Sequence, residues 1–179
     1  IVYAGDYKRF VGGLIGEEYF KPDFIRKVKN SKLTEAIVSV YLGLDVGPEK
    51  LEKQFNAQHL FYFPNYDVIF PDITSDENVH QNMWVVLNYF GSHNKAVVPE
   101  GKSTAVLQTY SAYDWQKYWR NNTDDIRRTE EYRSFKNKVG DHLIENAQNI
   151  YPDLKNRIVY REVGTPLSLI RFSRNSIGS

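Results

Sequence analysis

The chain has 179 residues, of which 41% are hydrophobic and 25% charged, and it contains no cysteine. This length suits one domain with a single core, and the missing cysteines exclude disulfides, thiol nucleophiles and thiolate metal sites. Lys and Arg number 23 against 22 Asp and Glu, which excludes a strongly basic nucleic-acid-binding protein. Apolar runs are too short for a membrane-spanning helix and no signal peptide is recognisable, so we expect a cytoplasmic protein.

The first half of the chain is predicted to alternate short strands and helices. Residues 6–16 and the segment after Pro22 have apolar residues at helical spacing. In 33–44 the period changes to two, which predicts a strand with one wholly apolar face. The predicted order is strand 1–6, helix 6–16, helix after Pro22, strand 33–44, helical turns 49–54, and strands 58–63 and 66–70.

The second half predicts two strands that pair, followed by a long helix. Strands 83–90 and 103–110 are expected to be hairpin neighbours with a long connection. A short helix at 114–120, a long helix from about 127 to 150 and a strand at 157–163 follow, and Thr165-Pro166 opens a tail expected to be irregular. These elements predict an α+β fold, with a largely antiparallel or mixed sheet of about five to six strands packed against a long helix and shorter helices.

Sequence motifs for self-contained catalysis are missing. The run Gly12-Gly13-Leu14-Ile15-Gly16 lacks the Gly-x-Gly-x-x-Gly spacing of a dinucleotide-binding turn. The histidines, which are His59, His80, His93 and His142, lie too far apart to predict a metal site. No serine has the surroundings of a nucleophile elbow. Catalytic residues therefore stay unidentified, and no metal is expected.

Two amides lie inside otherwise apolar strands. Asn88 shares a strand face with Trp84 and Phe90, and Gln108 shares one with Tyr110. A buried amide without a partner costs roughly 1–3 kcal/mol, so either a neighbouring loop bonds it or its face borders a cavity. The opposite, odd-numbered faces lack amides and suit the long helix better. The even-numbered faces are therefore the candidate substrate surface, with Trp84, Asn88, Phe90, Gln108 and Tyr110 as its residues.

Several segments, in chain order, resemble one enzyme family. The most specific is Gly164-Thr165-Pro166-Leu167-Ser168 followed by Arg171, which is similar to a Thr-Pro-x-Thr-x-x-Arg-x-Thr motif, with Ser168 and Ser173 where threonine is usual. The others are 1–6, 31–33 leading into 40–44, 99–103, 113–115 and the helix at 132–150. Together they resemble the phytoene desaturase, carotenoid isomerase and retinol saturase family of flavin-dependent oxidoreductases.

The resemblance implies a substrate domain without the glycine-rich ends that hold the flavin. Residues 1–30 would flank the FAD-binding domain, 31–163 would form the substrate-binding domain, and 164–179 would return toward the FAD-binding domain. The intact enzyme would bind FAD and act on carbon–carbon bonds of a hydrophobic polyene, whereas this fragment alone would hold no cofactor and be inactive. The cofactor-binding residues implied are Ala4, Asp6, Thr165, Pro166 and Arg171.

The expected partners follow from the same resemblance. They are a hydrophobic small-molecule substrate and the missing FAD-binding portion of the chain, with no nucleic acid. Peripheral contact with a membrane and dimerisation of the isolated domain through an apolar patch stay open. Two other functions also stay open, namely a non-catalytic lipid-binding module and a protein-interaction domain.

Overall fold

The computed structural model describes residues 2–33, 35–67, 83–89, 98–111, 119 and 129–176. The elements from the N-terminus to the third helix are α1 (Tyr7–Arg9), a π-helical turn (Phe10–Ile15), a 3₁₀ turn (Glu17–Tyr19), α2 (Pro22–Asn30), β1 (Ala36–Leu44) and α3 (Pro48–Phe55). Those that follow are β2 (His59–Tyr62), β3 (Val85–Tyr89), β4 (Ser103–Ser111), α4 (Glu130–Ala147), α5 (Leu154–Arg157), β5 (Ile158–Gly164) and α6 (Pro166–Ser173). The predicted α+β class is confirmed.

The strands form one antiparallel sheet of five in the order β2-β3-β4-β1-β5. In β3 and β4, Leu87 pairs with Leu107 and Asn88 with Val106, so the predicted hairpin neighbours do pair. On the other side of β4, Ser39 of β1 pairs with Gln108. This register aligns the period-two pattern of neighbouring strands, so one sheet face is apolar and the other is mixed.

The long helix α4 covers the apolar face. Leu87 and Leu107 of the sheet belong to one buried cluster with Val139 and Leu143 of the helix. Gly140 lies where the helix passes close to β5, since a Cβ there would be 2.8 Å from Cγ2 of Val163. The odd-numbered faces of β3 and β4 therefore meet the helix, as the sequence predicts, and the even-numbered faces point away. We call this second surface the outer face.

Two predicted elements at the chain ends are wrong. The segment 2–6 is irregular rather than a strand, and an isolated extended segment without a neighbouring strand has no partner for its backbone groups. The tail from Thr165 is a helix, α6. Thr165 is its N-cap, Pro166 occupies the first turn, and the side chains of Thr165 and Ser168 form a reciprocal capping box. These are strong helix-start signals, which outweigh the irregular pattern that follows.

The N-terminal helices have a small core of their own. Val11, Ile25 and Val28 are buried together and pack against Phe10 and Phe20. Pro22 starts α2, as predicted. The predicted helix at 114–120 and strand at 66–70 fall largely on residues outside the described ranges.

Candidate functional site

A ladder of polar side chains crosses four strands on the outer face. Nδ1 of His59 lies 2.5 Å from Oδ1 of Asn88. Nδ2 of Asn88 donates to Oε1 of Gln108 at 2.7 Å, and Nε2 of Gln108 donates to Oγ of Ser39 at 3.2 Å. The two amides therefore have partners on neighbouring strands rather than in a loop. We call this set, His59, Asn88, Gln108 and Ser39, the polar ladder.

Aromatic rings gather on the outer face beside the polar ladder. Trp84 lies edge-on to Tyr110, with ring centroids 4.9 Å apart. Phe61 and Phe63 each lie with their ring centroids 6.1 Å from that of Trp84, and Tyr66 is 5.5 Å from Phe63. These five rings form one continuous surface, the aromatic wall, in a geometry that favours edge and offset contacts.

The indole of Trp84 carries a donor that the protein does not use. Its Nε1 is buried and, within the described part of the chain, has no hydrogen-bond partner. An unpaired buried donor is costly, and in a binding surface it can be satisfied by an acceptor on a ligand. The backbone of Trp84 is fixed to β4, since its carbonyl oxygen accepts a 2.6 Å hydrogen bond from Oγ1 of Thr109.

A cavity of about 430 Å³ lies between α6 and the edge of the sheet formed by β1 and β5. It is lined by Ile37, Ser39, Tyr41, Glu162, Val163, Gly164, Ser168, Leu169, Arg171, Phe172 and Ser173. Ser39 belongs both to this α6 cavity and to the polar ladder. The cavity is therefore continuous with the outer face, and its volume lies in the roughly 300–1,000 Å³ range of small-molecule sites.

The residues of the Thr-Pro segment have different roles in the structure. Thr165 is fully buried, its hydroxyl lies 2.6 Å from that of Tyr132, and it caps α6. Pro166 is buried in the first turn of that helix. Arg171 is exposed, stacks over the ring of Phe172 at 5.4 Å and lines the α6 cavity. Of the three, Arg171 alone presents a polar group to a ligand.

At the N-terminus, Asp6 joins two distant parts of the chain. One carboxylate oxygen caps α1 through the backbone N–H of Arg9 at 3.1 Å, and the other accepts from the backbone N–H of Ser176. Burial raises the pKa of Asp6, but hydrogen bonds from Ser176 and Arg9 outweigh it, so the net pKa is lowered. Ala4 is exposed and lies near this junction in sequence.

Two of the residues expected at the cofactor have their polar atoms bonded within the described part of the chain. The glycine-containing run at 10–15 is a π-helical turn rather than a strand-to-helix loop, so it offers no cradle for a pyrophosphate. A carboxylate oxygen of Asp6 is hydrogen-bonded to the backbone N–H of Ser176, and the hydroxyl of Thr165 is hydrogen-bonded to that of Tyr132. Within the described ranges, no group of His, Asp and Glu could hold a metal ion.

The structure therefore brings together four of the five predicted substrate residues. Trp84 and Tyr110 are in the aromatic wall, and Asn88 and Gln108 are in the polar ladder; Phe90 lies outside the described residues. Sequence reasoning missed Ser39 and His59 as members of this face, although Ser39 lies between two apolar residues of its strand. The ligand-binding roles of Trp84, Asn88, Phe90, Gln108 and Tyr110 stay predictions.

No known family profile matches this sequence. The chain is 29% identical to all-trans-retinol 13,14-reductase from Danio rerio, in an alignment that covers 73% of this chain and 22% of that protein. The chain thus spans about a fifth of the length of the curated relative that it matches. The similarity relates it to an oxidoreductase and is consistent with the retinol saturase part of the resemblance. None of the described helices is long and apolar enough to cross a membrane.

Proposed function

We propose that this chain is the substrate-binding part of a FAD-dependent oxidoreductase that acts on carbon–carbon bonds of a hydrophobic polyene. The carotenoid-like or retinoid-like substrate would undergo desaturation, saturation or isomerisation. The observation that carries the proposal is the outer face, where the aromatic wall adjoins the hydrogen-bonded polar ladder and the α6 cavity. The similarity to a retinol reductase supports the same substrate class.

The aromatic wall suits an extended conjugated chain. Trp84 and Tyr110 present ring edges and faces, and a flat polyene packs on such surfaces at little entropic cost because both are rigid. The unpaired Nε1 of Trp84 is a hydrogen-bond donor and cannot accept.

FAD belongs, in this proposal, to the parent polypeptide outside these 179 residues. The flavin supplies the redox chemistry of the reaction when it is bound. The residues of this chain bind and orient the substrate and shield it from water.

Binding of all-trans-retinol to the purified chain tests the substrate surface. We expect saturable binding in equilibrium dialysis with absorbance detection, weakened by roughly tenfold in Trp84→Leu, since aromatic contacts and burial are worth more than 1 kcal/mol. Tyr19→Leu is the matched control, because Tyr19 is 75% exposed and lies in the N-terminal helices. Equal affinity of the two variants, or absence of binding by the unsubstituted chain, would refute the proposed surface.

A non-catalytic lipid-binding module would use the same cavity and remains the second candidate. It differs from the oxidoreductase in having no redox activity. In the longer polypeptide that the proposal requires, flavin absorbance that bleaches or recovers when retinol is added supports the oxidoreductase. Retinol binding with no flavin absorbance supports the lipid-binding module.

A further inference from the structure

Two polar groups that line the α6 cavity have hydrogen-bond donors that the described residues do not use. Oγ of Ser39 accepts a hydrogen bond from Gln108, and among the described residues its own hydroxyl proton has no acceptor. Arg171 has five N–H donors and no acceptor, and no carboxylate in the described part of the chain pairs with it. Two donors with no matching acceptor predict a ligand end that accepts.

Three other polar side chains around the cavity are already bonded within the chain, whereas the hydroxyl of Tyr41 can donate or accept. Glu162 forms an ion pair with Lys136 at 2.9 Å, and the lysine side chain is only 13% exposed. Oγ of Ser173 donates to the carbonyl oxygen of Leu169 at 2.7 Å, and Oγ of Ser168 accepts from the N–H of Thr165 at 3.2 Å. The remaining positive charge at the cavity is therefore that of Arg171.

Apolar side chains complete the lining. Ile37 lies on the sheet, and Leu169 and Phe172 lie on α6. A molecule that fits is apolar along its length and anionic at one end. A carboxylate matches the planar fork of a guanidinium better than a hydroxyl does, because it accepts two parallel, charge-assisted hydrogen bonds.

We propose that the α6 cavity binds the carboxylate end of a long apolar acid, with Arg171 and Ser39 as its donors and the apolar chain directed along the outer face. This inference rests on the proposed function in taking the outer face as the ligand surface, and it adds the chemistry and position of the ligand's polar end. Because Ser39 also ends the polar ladder, the ladder fixes one of the two donors.

Two retinoids that differ only at the polar end test the inference. All-trans-retinoic acid and all-trans-retinol are titrated against the 179-residue chain by equilibrium dialysis at pH 7.5. We expect retinoic acid to bind about tenfold more tightly than retinol, as a charge-assisted pair at a partly exposed site implies. In Arg171→Gln the two affinities should agree within about twofold.

Two further variants locate the carboxylate. Arg174→Gln removes the same charge from an exposed position just past α6 that does not line the cavity, and it should keep the preference for the acid. Leu169→Trp fills the cavity and should abolish that preference. A preference that survives Arg171→Gln or Leu169→Trp, or that is lost in Arg174→Gln, would overturn the proposed site.

The carboxylate site and the proposed function can be refuted separately. Equal binding of both retinoids by the unsubstituted chain overturns the carboxylate site and leaves the polyene surface supported. Absence of binding by either retinoid overturns both. Tighter binding of retinol than of retinoic acid shows that the ligand end is an alcohol and likewise overturns the carboxylate site.

Discussion

Replacing Asn88 with alanine removes the central member of the polar ladder and tests whether the ladder stabilises the sheet. Asn88 is 5% exposed, and its amide bonds Gln108 at 2.7 Å. Its loss leaves Oε1 of Gln108 without a partner, so we expect a decrease in unfolding free energy of about 1–3 kcal/mol. His59 is exposed, and water can replace its bond at little cost.

A double-mutant cycle isolates the bond itself. Gln108→Ala alone leaves Nδ2 of Asn88 unpaired and should also cost about 1–3 kcal/mol. The double variant should lose less than the sum of the two, by about 1 kcal/mol. Urea unfolding followed by far-UV circular dichroism measures each free energy, and an unchanged denaturant slope shows that the comparison is valid.

The control pairs Asn88→Ala with Val159→Ala. Val159 is 61% exposed and lies on β5, three strands from β3, so the two effects should add within about 0.5 kcal/mol. A coupling between Asn88 and Gln108 no larger than this control would show that the two amides are not bonded and that the polar ladder does not stabilise the sheet.

Three other outcomes are expected. Leu143→Ala should lower the unfolding free energy by about 2–5 kcal/mol in urea, because this side chain is 1% exposed in the core. The control Leu14→Ala, at a position that is 67% exposed, should lower it by less than about 0.5 kcal/mol. Equal losses in the two variants would refute the packing of α4 on the sheet. Because the pKa of Asp6 is lowered in the folded state, its contact with Ser176 contributes stability above the unfolded carboxyl pKa of about 3.9 and loses it as pH falls through the folded pKa. The Ser176 amide resonance should therefore shift in that acidic range in the unsubstituted chain and stay flat in Asp6→Asn; a flat response in both would contradict the contact. Titration with FAD should give no saturable micromolar quenching of flavin fluorescence, and such quenching would refute the assignment of FAD to the rest of the polypeptide.

The sheet and its buried face could be predicted from local patterns alone. In β1, alternation of apolar and other residues indicated both the strand and the face that becomes buried, because the side-chain period of a strand is two. The odd-numbered faces of β3 and β4 were assigned to the helix because they lack amides. Burial of a large apolar surface determines these features, and the sequence shows that surface directly.

The partners of the buried amides could not be predicted in the same way. His59 bonds Asn88 across 29 residues, and Ser39 bonds Gln108 across 69. Such contacts depend on strand order and register, which no local period specifies. The helix α6 was missed for a different reason: its capping box uses Ser168 in place of the usual Glu or Gln, so the start signal was present in an uncommon form.

The hydrogen bond between Asp6 and Ser176 has a consequence for how the sheet is attached to anything else. Positions 170 residues apart in sequence meet at one point, so the two ends of the described chain lie side by side. A unit attached in this way has the geometry of an insertion: it can be placed in a surface loop of another protein, or be circularly permuted through a short linker, without stretching the chain.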